Sequence, residues 1–451
     1  MKSVGLASII KTLSMVSLHR RVALPVSVVA ILSIFTKYRL RYLGMSPITY
    51  VLPDLPDLLP DSRLGGGVIN HIGEGDLIGP ESFVVSKDPI DGFPVLFAAL
   101  ADGRVVRIRE NVVPGGMQWT TVVRTGEESN DRPCGGGGPA DRFETEESCG
   151  RPLGIIIVKA STVADAPFFA EDSPRVDDDD DVVLVVADAY AGLLIVTGIY
   201  GDRAEKRVLA ARADVDPEEN FFRLLNGIVQ APDGSIYVTE TSQTFRRRRI
   251  FFAALDGRPT GRLLRYRKGR GVEVVVDSIF MPNGITLSHS KEALLIISGV
   301  QVLRYSLETM RMDDRPFVRV LPGTGDNIKA FDFLPTGEAR RCFYLGLGSK
   351  FARPFSFLKA VSERPMVRSL VLALVPYWRI LECIPKFTAI AVYDEGGSLI
   401  ETYQDPSAEM PWLSEAEPMG EHIYLGSWYA PFLGRVRRED LVAATSSYEN
   451  F

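Results

Sequence analysis

Apolar residues come in short runs along the chain, some alternating with polar positions and some apolar throughout. Gly, Pro, Asp or Asn closes each run. Examples are PVLFAALADGRVVRI (94–108), DVVLVVADAYAGLLIVTG (181–198), GSIYVTETS (234–242), ALLIISGVQVLRYSL (293–307) and FTAIAVYD (387–394). Runs of this length between turn residues read as β-strands rather than helices. They recur in units of one order: an entry turn, a short apolar strand, a turn, a second strand rich in small residues, then a third. The units begin at Gly79, Arg151, Asn226, Pro282, Asp326 and Gly420. Six such units predict an all-β chain, a six-bladed β-propeller over 65–440. Radial stacking buries both faces of each small sheet and leaves only short edges. A β-sandwich is the alternative, and six similar units fit it poorly.

Three stretches stand outside the pattern. Asp177–Asp181 is a run of acids without the Gly and the ligand spacing of an EF-hand, so it reads as a solvated loop. Phe351–Ile384 interleaves Leu358, Val361, Val367, Leu370, Val371 and Leu374 with Arg353, Lys359, Arg364 and Arg368. That near-helical period predicts a helical insertion in the fifth blade, as a lid on the propeller or a helix on a membrane surface. The N-terminal tail (1–50) contains Val22–Phe35, uncharged and flanked by Arg20, Arg21, Lys37, Arg39 and Arg41. No A-x-A-like cleavage site follows, which points to an uncleaved signal-anchor helix rather than a removed leader. Residues 441–451 are read as a C-terminal tail.

Charge and cysteines narrow the setting. A net charge of −6 argues against a nucleic-acid partner. Arg246–Arg249 is the one dense basic run and reads as a solvated loop. Cys134 and Cys149 flank a Gly-rich, charged stretch whose length permits a bridge, stable only in an oxidising compartment. With an N-terminal anchor this places the propeller in the lumen of the endoplasmic reticulum or outside the cell. Cys342 and Cys383 lie in apolar surroundings and read as buried thiols. No C-x-x-C occurs and the four histidines are scattered, which argues against zinc.

Candidate chemistry sits at the entry of the units. If each unit begins near the innermost strand of a blade, its first residues converge on the propeller axis. Glu81 holds that place in the first unit, Asn226 in the third, Asn283 in the fourth, and Asp326 with Asn327 in the fifth. Carboxylates and amide carbonyls are hard oxygen ligands of the kind calcium takes. The competing explanation is local: Asn-Gly pairs are common turn residues because both tolerate positive φ.

The segments GPES (79–82), CGRPLGI (149–155), YVTETS (237–242), MPNGITLS (281–288), LPGTGDNI (321–328) and YLGSWYAPFLGRV (424–436) together resemble the strictosidine synthase-like family, in particular its membrane-anchored animal branch. The resemblance implies a six-bladed propeller, related more distantly to calcium-dependent lactonases and phosphotriesterases. It supports the Cys134–Cys149 bridge. It implies a calcium ion on Glu81, Asn226, Asn283 and Asp326, with Asn327 adjacent. Gly227 stands where the family usually has Asp, which removes an acid that helps hold a second calcium in the lactonases. Their catalytic histidine pair has no counterpart; His71 is the one histidine near GPES. The function expected is a calcium-dependent aryl esterase or lactonase acting on a small lipophilic substrate, with Asp326 and Glu81 as catalytic groups. The alternatives are a non-catalytic, membrane-anchored binding or scaffold propeller and amine–aldehyde condensation, for which Glu415 and Glu417 are the acids in the right region.

Overall fold

The protein is described here by a computed structural model covering residues 31–443, apart from 55, 111–115, 128–133, 135–138, 164–181, 202, 214–220, 351–356, 376–378, 380–381 and 383. Six four-stranded antiparallel sheets are arranged as the blades of a propeller. Their inner strands are Ser82–Lys87, Pro152–Lys159, Leu225–Gln230, Pro282–Leu287, Gly323–Phe333 and Leu413–Met419, for blades 1 to 6 in order. Five blades are built from consecutive strands. The sixth takes its outermost strand, Asn70–Ile72, from ahead of the first blade, with Asn70 opposite Arg435 and Ile72 opposite Leu433. This pairing closes the ring.

The apolar runs follow from burial on both sheet faces. Side chains alternate across a strand. In Pro94–Ala99, Leu96 and Ala98 pack against blade 6, beside Met419 and Tyr424. Val95, Phe97 and Ala99 pack against blade 2, beside Leu184 and Val186. Six clusters of this kind fill the six gaps between neighbouring blades. A sandwich would give one core between two sheets and is excluded.

The sixth unit starts earlier than the sequence pattern suggests. Its inner strand is Leu413–Met419, before Gly420, and every residue of it is buried. Two glutamates and a proline hide it from a hydrophobic reading.

Most of the described helices gather on one face. A disulfide links Cys134 to Cys149, the last residue of helix Pro139–Cys149. Arg247–Arg249 and helix Ile250–Asp256 are inserted between the second and third strands of blade 3. Helices Phe357–Ser362 and Pro365–Leu374 lie between the second and third strands of blade 5. Residues 31–43 are helical. Leu43 and Met45 pack with Phe245, Phe252, Leu255 and Leu372 in a separate small core. Arg368 ties this cap together, donating to the carbonyl of Leu255 (2.6 Å) and to that of Ile48. Among the described residues no helix is long and apolar enough to cross a membrane. Most of the expected signal anchor, the acidic run Asp177–Asp181 and Cys383 lie outside the described residues; Cys342 is a buried free thiol.

Candidate functional site

Five of the six inner strands begin with a break in register where the chain enters the sheet: Pro152/Gly154, Leu225/Ile228, Pro282/Ile285, Gly325/Ile328 and Leu413/Glu415. Such bulges re-aim the side chains beside them. Here they place Asn226, Asn283, Asp326 and Asn327 at the mouth of the axial channel. Glu81 reaches the same place directly ahead of the regular strand Ser82–Lys87.

The glycines that follow have a reason other than turn formation. Gly227 and Gly284 have no positive φ. A Cβ on Gly227 would lie 2.7 Å from the Asn283 carbonyl oxygen, and one on Gly284 would lie 2.5 Å from the Asn327 Cα. Gly154 stands in the same relation to the Asn226 carbonyl, at 2.3 Å. Each glycine lets the next blade's mouth residue pass against it. Asn-Gly here is a packing motif of the axis, not a hairpin turn.

The mouth residues touch in part. Asn283 Nδ2 donates to Asp326 Oδ1 at 2.8 Å. Asn327 Nδ2 donates to the Glu81 backbone carbonyl at 3.1 Å. Asn226 Nδ2 donates to Thr241 Oγ1 at 3.1 Å, and that hydroxyl donates to the Pro282 carbonyl next to Asn283. The side-chain oxygens of Asn226 and Asn283 are buried and accept no hydrogen bond. Burial, then the charge of Glu81, pushes the Asp326 carboxyl up to about 7. Desolvation opposes the ionised form, and a neighbouring carboxylate adds to it.

Two cations that the sequence did not reveal share this mouth. Arg151 is fully buried and pairs with the Glu81 carboxylate; its Nη1 donates to the Gly79 carbonyl at 3.3 Å, and its backbone N–H to Asp188 Oδ2 at 2.7 Å. Arg247, only 6% exposed, corrects the reading of Arg246–Arg249 as a solvated loop. Its Nη2 lies 3.9 Å from Glu81 Oε2. Its guanidinium sits over Phe143 (5.2 Å) and Trp428 (5.4 Å), and Trp428 stacks on Trp412 at 4.8 Å. Arg248 and Arg246 do face outward, toward Glu147. Glu146 is buried beside both arginines and accepts from the Tyr190 hydroxyl at 3.0 Å; burial raises its carboxyl. An arginine entering from a loop insertion leaves no spacing signal. Arg151 sits in the quoted CGRPLGI segment, but nothing local marks it as axial.

A second polar group lies further along the channel. Lys329 Nζ donates to Glu415 Oε1 at 2.7 Å, to Glu417 and to the Phe83 carbonyl. The Phe83 N–H also donates to Glu415 Oε1 at 2.7 Å. Burial pushes Glu415 up to about 7 against the opposing pull of Lys329. These groups border a cavity of about 300 Å³ walled by Val84, Ile156, Val229 and Phe331. His71 is remote from both: it is on the outermost strand of blade 6, stacked on Phe432.

As a seat for a cation, the mouth offers two carboxylates and the amide oxygens of Asn226 and Asn283. Among the described residues no three His, Cys, Asp or Glu side chains form a metal-binding group. The amides are what complete a donor set. Two buried carbonyl oxygens without partners fit a hard cation, because a buried acceptor left unpaired is costly.

A six-bladed propeller with oxygen donors and paired charges gathered at one end of its axis is the class that fold and site define. Residues 226–308 match the family described as strictosidine synthase. The chain is 29% identical over 371 residues to the adipocyte plasma membrane-associated protein of Bos taurus, covering 81% of this chain and 77% of that one. It is 27% identical over 398 residues to Protein STRICTOSIDINE SYNTHASE-LIKE 2 of Arabidopsis thaliana, covering 83% and 89%. These matches make the chain similar to strictosidine synthase-like proteins. Among solved structures, a gluconolactonase from Xanthomonas campestris aligns with a TM-score of 0.47 at 13% identity, over 87% of this chain and 98% of that chain.

Proposed function

We propose that the axial mouth binds one calcium ion through Glu81, Asn226, Asn283 and Asp326, and that the loaded protein hydrolyses a small lipophilic ester or lactone. The observation that supports this reading is the pair of buried, unpartnered oxygens of Asn226 and Asn283, beside two carboxylates that repel each other. Bound there, the ion would supply Lewis-acid polarisation of a carbonyl. Asp326, whose Oδ1 accepts from Asn283, is the carboxylate placed to act as general base there. Asn283 orients it through Oδ1. The aromatic wall of Phe143, Trp428 and Trp412 suits an aryl or alkyl group.

Membrane attachment belongs to the same proposal. The cap exposes Met366, Val367, Leu370 and Leu374, and the helical stretch 31–43 exposes Ile31, Ile34 and Phe35. Apolar residues set among Lys37, Arg39, Arg41 and Arg364 suit an interfacial contact. The disulfide fits a lumenal or extracellular body.

A non-catalytic scaffold is the second reading, and Arg247 favours it, because a side chain fills the channel mouth. Amine–aldehyde condensation gains nothing, since Glu415 and Glu417 are tied to Lys329 away from the mouth. Aryl-ester hydrolysis by the purified full chain, assayed with calcium and with excess chelator, separates the readings. Hydrolysis that disappears with chelator and in Asp326→Ala is expected. Undiminished hydrolysis in chelator, or none under any condition, removes the proposal.

A further inference from the structure

The helical stretch 31–43 runs into the cap through backbone that is docked along its length. Residues 44–50 lie across the helices inserted in blades 3 and 5. The Ser46 N–H donates to Asp256 Oδ1 at 2.6 Å, and the Ile48 N–H to the Asp256 carbonyl at 3.0 Å. Arg258 Nη2 donates to the Gly44 carbonyl at 2.9 Å, and the Tyr50 hydroxyl to the Ala254 carbonyl at 3.2 Å. Buried Arg368, from helix Pro365–Leu374, holds the Ile48 carbonyl as well. Leu40, Leu43 and Met45 pack with Leu372 and Phe252 in the cap core. Helix and cap are thus one body.

That body turns an apolar side to solvent. Helix Pro365–Leu374 buries Arg368, Leu372 and Ala373 and exposes Met366, Val367, Leu370 and Leu374. Steps of three and four residues put the exposed set on one helix face. The stretch 31–43 exposes Ile31, Ile34, Phe35, Tyr38 and Tyr42 with the same steps. Neither helix contains an acid, and Lys37, Arg39 and Arg41 are exposed beside these side chains. An apolar face with cations and no carboxylate complements a bilayer of anionic phospholipid: headgroups take the charges and acyl chains take the side chains.

The cap stands on the mouth side of the propeller. Its helices in blade 5 leave the sheet at the end where Gly323 pairs with Lys350, the end at which the inner strand begins. Helix Ile250–Asp256 belongs to both regions. Its Phe252, Ala253 and Leu255 enter the cap core, while Phe251 lies 6.1 Å from Trp428 in the aromatic wall of the mouth.

We propose that the stretch 31–43 and helix Pro365–Leu374 form one rigid platform that lies on an anionic bilayer surface, and that the mouth takes its substrate from that bilayer. The substrate class is then a long-chain ester or lactone dissolved in the membrane. The inference rests on the reading of the chain as membrane-attached and of the mouth as an ester-hydrolysing site; the platform itself depends only on the first.

The test uses the full chain reconstituted in vesicles of phosphatidylcholine and phosphatidylserine. A bimane label is placed on Met366→Cys in a Cys383→Ala background, Cys342 being buried. Ile90→Cys is the control, because Ile90 is 86% exposed on the turn after strand Ser82–Lys87, at the end of blade 1 away from Glu81. The Met366 label is expected to emit at shorter wavelength and to be quenched by brominated phospholipid, with the Ile90 label unaffected. Water-like emission at both positions in vesicle-bound protein overturns the platform and leaves membrane attachment standing. Failure of the chain to associate with vesicles overturns both. A shift that follows the protein-to-lipid ratio without quenching by brominated lipid assigns the face to a second copy instead. The double variant Met366→Glu/Leu370→Glu tests delivery. Hydrolysis of a long-chain aryl ester dissolved in the vesicles is expected to slow about tenfold, with a short soluble aryl ester cleaved at the wild-type rate. Equal loss on both esters, or on neither, overturns delivery from the bilayer. Hydrolysis of neither ester by wild type overturns the hydrolase reading and delivery with it, and the label still decides the platform.

Discussion

Asp326→Asn gives the sharpest energetic test of the mouth. The side chain is buried, and its carboxyl rises from 3.8 to about 7, first through desolvation and then through Glu81. At about 1.4 kcal/mol per pH unit, that rise is an ionisation cost of about 4 kcal/mol in the metal-free protein. The sign follows from which state holds the proton more tightly. The folded state does, so the cost is absent below pH 4, builds between 4 and 7, and is complete above 7. Asparagine keeps an oxygen to accept from Asn283 Nδ2 and removes the charge. In chelator the variant should therefore be more stable than wild type at pH 8, by up to about 4 kcal/mol, and nearly equal to it at pH 4. Urea denaturation of both proteins across this range, with chelator throughout, reads the difference directly. Glu415 also titrates near 7, but it is common to both proteins and cancels. A variant that is less stable than wild type at pH 8, or a difference independent of pH, would refute the placement of an ionisable Asp326 beside Glu81.

Gly284→Ala should cost about 1–3 kcal/mol or more, because its Cβ would lie 2.5 Å from the Asn327 Cα and 2.7 Å from the Asp326 carbonyl oxygen. Gly201→Ala, whose nearest atom would be 3.6 Å away, is the neutral control in the same melting series. Lys329→Met leaves Glu415 and Glu417 without a counter-charge and should destabilise by about 3–5 kcal/mol at pH 8, less at pH 5 where the carboxyls take up protons; a pH-independent loss would contradict this. Replacing Cys134 and Cys149 by Ala should cost about 3 kcal/mol, from a separation of 15 residues. The same change should loosen helix Pro139–Cys149, which carries Phe143 and Glu146, and so raise hydrogen exchange there while the blades stay protected.

Much of the ring was legible because strands buried on both faces must be apolar throughout, and few other residues than Gly, Pro, Asp and Asn turn the chain between them. Residues such as Leu96 and Phe97, on opposite faces of one strand, left that signature. Leu413–Met419 escaped because its charge is compensated in space: Glu415 and Glu417 are buried by virtue of Lys329, which lies in another blade. Asn70–Ile72 escaped because a three-residue strand has no period to read. In the mouth, the positions of Glu81, Asn226, Asn283 and Asp326 could be found from their place in the repeat. Their partners could not. Arg247 sits in a basic run that by composition belongs to solvent, and only the turn Arg247–Arg249 sends one of its side chains inward while its neighbours point out. The glycine after each asparagine was visible as a motif, but its cause is a contact between blades that local sequence does not encode.

The cation site is most directly tested by calcium stoichiometry. The protein, dialysed against calcium and then against buffer, would be analysed by atomic emission alongside the double variant Glu81→Gln/Asp326→Asn. One calcium per chain in wild type and none in the double variant is the expected result. Calcium retained by the double variant, or absent from wild type, would contradict it.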